Sequence, residues 1–160
     1  LLEPATRVAI LDLDIHHGNG TQDIFYASDR VDYASIHGEP SWAYPPHTGH
    51  TDETGIGAGI GHNHNQPLPK GTGWSTYKDA LDRALASLDA NDPTWLVVSQ
   101  GFDPFAGDRW GGFELHAPDY AAIGTRLRAF GRPLVVILEG GYETSCLADG
   151  TLALLDGLRD

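Results

Sequence analysis

The amino-acid sequence predicts an α/β fold with a mostly parallel, doubly wound sheet and helices on both of its faces. Two observations support this prediction: short, nearly continuous apolar runs alternate with helical patterns, and polar clusters follow the apolar runs. Continuous apolar runs are typical of strands buried on both faces, and helices between such strands form right-handed crossovers. Ligands bind beyond the carboxyl ends of the strands in these sheets, so the polar residues there are the functional candidates.

Four apolar runs predict the strands of the sheet. They cover residues 7–14, 32–37, 95–99 and 133–139, and a short edge strand is expected within 60–68. Each run is followed by polar side chains, as a sheet with one functional edge requires.

Helical patterns lie between and after these strands. Apolar residues recur at spacings of three and four from Trp74 to Leu88, which places one stripe inward. Residues 118–130 begin with proline and end before Gly131, and residues 147–158 carry a leucine pattern. The segment 38–73 lacks periodicity and is rich in Gly, Pro and His, so we expect a functional rim or an insert there.

The composition limits the class of protein. With 41% hydrophobic residues among 160, the chain fits one globular domain, and its net charge of −12 disfavours nucleic acid as a partner. No apolar run approaches the ~20 residues that cross a bilayer, so no membrane partner is expected and a cytoplasmic location is the default. The single cysteine, Cys146, excludes an intrachain disulfide and is expected to pack as a small apolar residue.

Three polar clusters at predicted strand ends could carry chemistry. Asp12, Asp14 and His16 alternate along the end of the first strand, so their side chains project to one side and could reach a common metal ion. A carboxylate in the loop 101–108 could complete such a site. Tyr142 follows two glycines and could donate a hydrogen bond to a developing oxyanion. The alternatives are ordinary turns and a tyrosine packed over the sheet edge.

Other motifs are weaker candidates. The glycine-rich segment 55–61 has no register that fits a nucleotide-binding loop, which disfavours a Rossmann domain. His62 and His64 have the spacing of metal ligands but no identifiable partner, so edge-strand polarity is the preferred interpretation. Neither Ser99 nor Ser145 lies in a nucleophile elbow, and a serine triad has no support.

The segment 8–25 resembles the zinc-site segment of the histone deacetylase and acetylpolyamine amidohydrolase superfamily. The similarity continues in order at residues 33–37, 101–108 and 138–142. These motifs resemble those of the bacterial amidohydrolases more than those of the eukaryotic class I enzymes. The resemblance implies an arginase/deacetylase-like fold and a zinc-dependent hydrolase that removes acetyl groups from acetylated amines, such as acetyl-lysine or acetylpolyamine. It leaves a homo-oligomer open.

The resemblance also implies roles for individual residues. Asp14, His16 and Asp108 would bind Zn²⁺, Tyr142 would polarise the scissile carbonyl, and Asp12 would orient a catalytic histidine. Potassium would be held beneath the zinc by backbone carbonyls and one hydroxyl, those of Asp12, Asp14, His16, Ile36 and Ser35. Tyr44 and Gly140 would line the substrate channel.

One family feature is missing from this sequence. The tandem catalytic histidines of the family lie in a Pro-Gly-His-His-like segment upstream of the zinc motif, and this sequence contains no such segment. Residues 1–160 are therefore expected to be the C-terminal part of a deacetylase-like catalytic domain. Two alternatives stay open: an incomplete fragment or non-catalytic zinc-binding module of the same fold, and a binuclear manganese ureohydrolase. The latter needs a carboxylate where Gly18 stands.

Overall fold

The computed structural model describes residues 6–159, which form one parallel sheet and four helices. The strands are β1 (Val8–Asp12), β2 (Val31–Gly38), β3 (Asn63–Leu68), β4 (Trp95–Gln100) and β5 (Leu134–Leu138). The helices are α1 (Asn19–Phe25), α2 (Trp74–Asp89), α3 (Ala117–Ala129) and α4 (Thr144–Arg159), with a 3₁₀ turn at Gly57–Gly59. The strand order is β3-β2-β1-β4-β5, and every neighbouring pair is parallel. The predicted fold class is confirmed.

Helix α1 is the element that the sequence pattern does not indicate. It has seven residues, includes Gly20, and buries only Gln22, so it presents no apolar stripe to recognise. The expected edge strand within 60–68 is present as β3, and α4 begins at Thr144, before the first leucine of its pattern.

The main core lies on one face of the sheet. Leu11 of β1 pairs in register with Val98 of β4, so the two side chains lie on the same face of the sheet. Both are fully buried. They belong to one apolar cluster with Leu81 of α2, Ile123 of α3 and Leu154 of α4. Helix α1 contacts β2. None of the helices in residues 6–159 combines the length and apolar character that crossing a membrane requires.

The edge strand β5 is apolar and poorly covered. Its residues from Val135 to Leu138 are 41–65% exposed. A shallow groove beside it has an entirely apolar lining from α1 and four strands, formed by Val8, Ile10, Phe25, Val31, Trp95, Val97 and Val135. Contiguous exposed apolar surface of this kind is typical of a face that another element covers.

The strand order places a crevice between β1 and β4. The chain runs outward from β1 through β2 to β3, and then returns to the other side of β1 with β4 and β5. The loops after β1 and β4 therefore leave in opposite directions and open a crevice at the carboxyl ends of these strands. This topology brings the segments 12–17 and 101–108 together.

Helices α3 and α4 approach closely at two glycines. A β-carbon at Gly157 would overlap the carbonyl oxygen of Ala121, and one at Gly124 would overlap that of Leu154. Because the obstacles are backbone atoms, the helices would have to separate to accept a larger residue. Helix α4 begins two residues after Tyr142.

We expect Gly157→Ala to destabilise the fold by about 2–3 kcal/mol, because the added methyl overpacks a backbone contact. Gly20→Ala is the matched control, since its new β-carbon would meet no other atom within 4 Å and alanine favours a helix. Thermal unfolding followed by circular dichroism measures both. Equal melting temperatures for the two variants would contradict the close approach of α3 and α4.

Candidate active site

Three ligand-type side chains meet in the crevice between β1 and β4. The Nδ1 atom of His16 lies 3.0 Å from Oδ1 of Asp14 and 3.1 Å from Oδ2 of Asp103. One ligand atom from each of these residues falls within 4.8 Å of the others, and no other group of three or more such residues does so within residues 6–159. The turn after β1 supplies two members, and the loop after β4 supplies the third.

The structure places Asp103, and not Asp108, beside Asp14 and His16. The expectation that Asp108 is the third ligand does not agree with its surroundings. Its Oδ1 accepts a hydrogen bond from the Trp110 N–H at 2.9 Å, and its Oδ2 accepts from the N–H groups of Tyr142 and Glu143. A carboxylate turned toward three backbone donors is not turned toward the His16 ring.

Backbone hydrogen bonds orient the two carboxylates of the cluster. Oδ1 of Asp103 accepts from the Ile15 N–H at 2.9 Å, which leaves Oδ2 directed at His16. Oδ2 of Asp14 accepts from the Gly140 N–H at 2.8 Å, and its Oδ1 accepts from the His16 N–H at 2.8 Å. The loops after β1, β4 and β5 are thus joined through the side chains of the site. Such support fixes ligand geometry before an ion arrives.

The pKa values of the three side chains indicate that the cluster favours a positive charge between its two carboxylates. Hydrogen bonds to Asp103 and Asp14 raise the pKa of His16 to about 10. Burial raises the pKa of Asp103, whereas for Asp14 the same burial effect is outweighed by hydrogen bonds to His16 and Gly140, which lower its pKa. Two nearly buried carboxylates therefore hold one positive imidazolium between them. Two carboxylate oxygens and one imidazole nitrogen also form a donor set that Zn²⁺ accepts while keeping a position open, so these residues fit the ion.

The position of Gly140 must be a glycine because its backbone lies directly against the carboxylates of Asp14 and Asp103. A β-carbon at this position would overlap Oδ2 of Asp103 and would press against Oδ2 of Asp14. The residue can approach the carboxylates only because it has no side chain. Its N–H then binds Asp14, as described above, and its carbonyl accepts from the Phe102 N–H at 2.7 Å. Gly140 therefore lies at the cluster itself, at the base of the surrounding cleft.

An open cleft of about 610 Å³ is lined by Asp14 and His16 of the cluster, and Asp103 is buried beside them. Tyr142 and Tyr44 line the cleft and are 45% and 72% exposed, so both rings are accessible to a ligand. The predicted channel residues Tyr44 and Gly140 both border this cleft. Their roles toward a substrate stay predictions.

Asp12 lies below the cluster in a buried position. Its Oδ1 accepts from the Asp14 N–H at 3.2 Å, and its Oδ2 accepts from the Tyr33 hydroxyl at 3.0 Å. Burial raises the pKa of Asp12 to about 7. A buried carboxylate of this kind gains from a cationic or hydrogen-donating partner. Its proposed role in orienting a histidine stays a prediction.

The residues expected to hold potassium lie at neighbouring strand ends. Asp12 of β1 pairs in register with Ser35 of β2, and Ser35 is fully buried. The Ser35 hydroxyl lies 2.8 Å from Nδ1 of His37, and the side chain of Ile36 points into the apolar core. The potassium site stays a prediction.

A buried polar network beside the cleft was not foreseen from the sequence. Nε2 of His17 lies 3.1 Å from Oε1 of Gln22, whose Nε2 donates to Oε2 of Glu53 at 2.8 Å. Asn63 and Asn65 of β3 donate to the same Gln22 oxygen, each at 2.9 Å. The network ties the segment 38–73 to α1 and to the turn that carries His16. The only hint in the sequence is the pair of asparagines within a short edge strand.

The structure shows the surroundings of the weaker candidates His62, His64 and Cys146. Nδ1 of His62 lies 2.8 Å from the buried Oδ1 of Asp32, so the partner missing from the sequence pattern is on β2. Neither His62 nor His64 belongs to the metal-type cluster described above. Cys146 is buried, as expected.

Comparison with known proteins assigns the family. The sequence model of the histone deacetylase domain matches residues 2–158. The chain belongs to the histone deacetylase family. Acetylpolyamine amidohydrolase 1 of Pseudomonas aeruginosa is 47% identical over 153 residues, covering 96% of this chain and 44% of that protein. The acetylpolyamine amidohydrolase of Mycoplana ramosa is 46% identical over 138 residues, covering 86% of this chain and 40% of that protein.

The solved structures agree with this family assignment. A crystal structure of an acetylpolyamine aminohydrolase from Burkholderia pseudomallei matches 95% of this histone deacetylase family chain with a TM-score of 0.93 and 38% identity. The match covers 44% of that structure. The chain therefore spans less than half the length of the relatives it resembles. The resemblance inferred from the zinc-site motif is confirmed, and so is the arginase/deacetylase-like fold class.

His37 gives this histone deacetylase family chain a pH-dependent stability. Burial, and then the neighbouring His17, lower the pKa of His37 to about 4 from an ordinary value of 6.5. The unfolded chain therefore binds a proton that the folded chain does not. This contribution to stability is complete above pH 6.5 and is lost as the pH falls toward 4.

We expect the free energy of unfolding to fall by up to about 3 kcal/mol more in the parent chain than in His37→Asn over this range. Urea unfolding at a series of pH values measures the difference, and His47→Asn is the control because His47 is exposed. Parallel pH profiles for the parent chain and His37→Asn would contradict the neutral, buried state of this ring.

Proposed function

We propose that this chain carries the zinc centre and the oxyanion-stabilising tyrosine of a deacetylase that hydrolyses acetylated amines. The observation that carries the proposal is the convergence of Asp14, His16 and Asp103 within 4.8 Å, beside a cleft that Asp14, His16 and Tyr142 line. Family membership supports the reaction class. The ligands proposed for zinc are these three residues, with Asp103 in place of Asp108.

The chemistry divides among the residues of the cleft. Zinc, when bound, polarises an amide carbonyl and lowers the pKa of water toward ~7. Two carboxylates and an imidazole would hold the ion, and such a three-ligand set keeps one position open for a substrate oxygen. Tyr142 donates its phenolic proton in a hydrogen bond to the oxygen that becomes negative during amide cleavage. Asp12 would orient a catalytic histidine that handles the water proton, and the segment that carries this histidine in the family is not in this sequence.

The substrate class follows from the relatives and the charge. Two of the most similar proteins are acetylpolyamine amidohydrolases, so an acetylated polyamine or an acetylated lysine side chain is the proposed substrate. The chain's net charge of −12 suits a substrate that keeps a positive amine. Tyr44 would form one wall for the aliphatic stem of such a molecule, and its exposed ring at the cleft supports this role.

Potassium is the second proposed ion. The backbone carbonyl groups of Asp12, Asp14, His16 and Ile36 and the hydroxyl of Ser35 would hold it. Support comes from the in-register pairing of Asp12 with Ser35 and from the burial of both residues. Backbone carbonyls and hydroxyls are ligands that suit a hard monovalent cation.

We also propose that residues 1–160 are the C-terminal part of a larger catalytic domain. The exposed apolar strand β5 and its groove support this, because a sheet edge of this kind is normally paired. The missing Pro-Gly-His-His-like segment favours a second candidate function for the chain by itself. In that case the chain binds zinc and has no hydrolytic activity.

Metal binding tests the ligand set directly. We expect the chain to bind one Zn²⁺, and Asp103→Asn to weaken binding by at least about 100-fold, because one of three ligands is lost. Asp108→Asn is the matched control in the same loop and should bind zinc with nearly unchanged affinity. Competition with a chromogenic chelator measures both. The reverse order of effects would restore Asp108 as the ligand.

Turnover tests the role of Tyr142. If the zinc-loaded chain hydrolyses a fluorogenic acetyl-lysine substrate or N-acetylputrescine, Tyr142→Phe should keep zinc affinity and lose about 10²–10³ in kcat. Unchanged turnover in Tyr142→Phe would refute the oxyanion role. Zinc uptake with no turnover by the parent chain would favour the incomplete module over the self-sufficient enzyme.

A further inference from the structure

The carboxylate of Asp108 holds the backbone on which Tyr142 is mounted. Its Oδ2 accepts hydrogen bonds from the N–H groups of Tyr142 at 2.6 Å and Glu143 at 3.0 Å. The next residue, Arg109, donates from its guanidinium to the Tyr142 carbonyl at 2.9 Å. Two consecutive residues of the loop after β4 therefore bind the backbone N–H and the backbone carbonyl of Tyr142. We call these contacts the 108–109 clamp.

Gly140 is bound to Asp14 and Phe102, and the 108–109 clamp holds the Tyr142 loop two residues later. Gly140 and Gly141 precede the tyrosine, and Gly141 has a φ of +134°, a conformation that other residues rarely adopt. The ring of Tyr142 is 45% exposed, so packing does not determine where its hydroxyl lies. The position of the phenol therefore depends on the position of its backbone.

The clamp places the Asp108 carboxylate at the N-terminus of helix α4, where a negative charge is stabilising. Helix α4 starts at Thr144, and the Glu143 carbonyl accepts the N–H of Leu147, so Asp108 lies at the positive end of this helix. Asp108 itself is only 9% exposed. Its other oxygen accepts from the Trp110 N–H at 2.9 Å, which orients the carboxylate. Both of its oxygens are thus engaged by backbone donors.

We propose that Asp108 is a positioning residue that sets the distance of the Tyr142 hydroxyl from the metal-type cluster, with Arg109 as its assistant. The inference rests on the proposed oxyanion role of Tyr142 and adds a residue outside the ligand set to that reaction. At its other end the same loop binds Asp14 through the Gly140 N–H at 2.8 Å. The loop is therefore fixed at the ligand Asp14 and at Asp108, with Tyr142 held between them.

A double-mutant cycle on a zinc-loaded chain tests the proposal with acetohydroxamate as the probe. This small chelator presents a carbonyl oxygen where the phenol would donate a hydrogen bond. We expect Asp108→Asn and Tyr142→Phe each to weaken acetohydroxamate binding by about tenfold. The double variant should also be weakened by about tenfold, and not by about 100-fold, because Asp108 acts through Tyr142. Isothermal titration calorimetry measures the affinities, and zinc affinity should change by less than about threefold in each variant.

Amide hydrogen exchange gives the second measurement. Asp108→Asn should speed exchange at the Tyr142 and Glu143 N–H groups by at least about tenfold, because the amide side chain cannot satisfy all three donors. Unchanged exchange would overturn the clamp. Alternatively, exchange becomes faster while the losses of acetohydroxamate affinity in the two single variants multiply in the double variant. That result would show a merely structural role for Asp108 and would also overturn the proposal.

Two further outcomes separate this proposal from the proposed function. If Tyr142→Phe alone leaves acetohydroxamate affinity unchanged, the oxyanion role fails, and the positioning role fails with it. If Asp108→Asn does not fold, Arg109→Ala removes only the contact to the Tyr142 carbonyl from an exposed side chain. That variant should shift both measurements in the same direction by a smaller factor, and no shift in either would overturn the proposal.

Discussion

The structure is organised around two carboxylates that are forced together in a partly buried crevice. Asp14 follows β1 and Asp103 follows β4, and these strands are adjacent and parallel. Like charges at this separation are costly unless a cation lies between them. A proton on His16 supplies such a charge, because hydrogen bonds to Asp103 and Asp14 raise the pKa of this ring to about 10. The same electrostatic demand makes the site suitable for a divalent ion.

The sequence was sufficient to predict the strands and the edge of the sheet that carries chemistry. Alternation grouped Asp12 with Asp14 and His16, and the structure joins Asp14 and His16 in the turn after β1, whereas Asp12 ends the strand below them. The expectation of Asp108 as the third ligand does not agree with the structure, which brings Asp103 to the cluster, because alternation gives no guide within the irregular loop after β4. The structure shows the physical criterion. Gly101 packs against Asp14, so a residue two positions later remains beside the cluster, whereas Asp108 lies beyond a further turn at Gly107.

The polar network around Gln22 could not be predicted for a different reason. Its members come from segments separated by 31 to 43 residues, and each is an ordinary polar residue by itself. Only the packing of α1 against the sheet brings them to one place, and α1 has no periodicity that would reveal it. The network gives the long segment 38–73 a fixed position beside the cleft. A segment without periodicity in the sequence is thus held by side chains at Glu53, Asn63 and Asn65.

Asp103 and Asp108 show how the surroundings of one residue type decide its function. Each accepts hydrogen bonds from backbone N–H groups, but Asp103 keeps one oxygen free of them and directs it at His16. Both oxygens of Asp108 accept from backbone donors of its own loop and of the Tyr142 loop, and Asp108 is not in the cluster around His16. Asp14 also accepts two backbone hydrogen bonds, but its Oδ1 lies 3.0 Å from the His16 ring as well. Contact with that ring therefore separates the proposed ligands from Asp108, which instead holds the peptide that carries Tyr142.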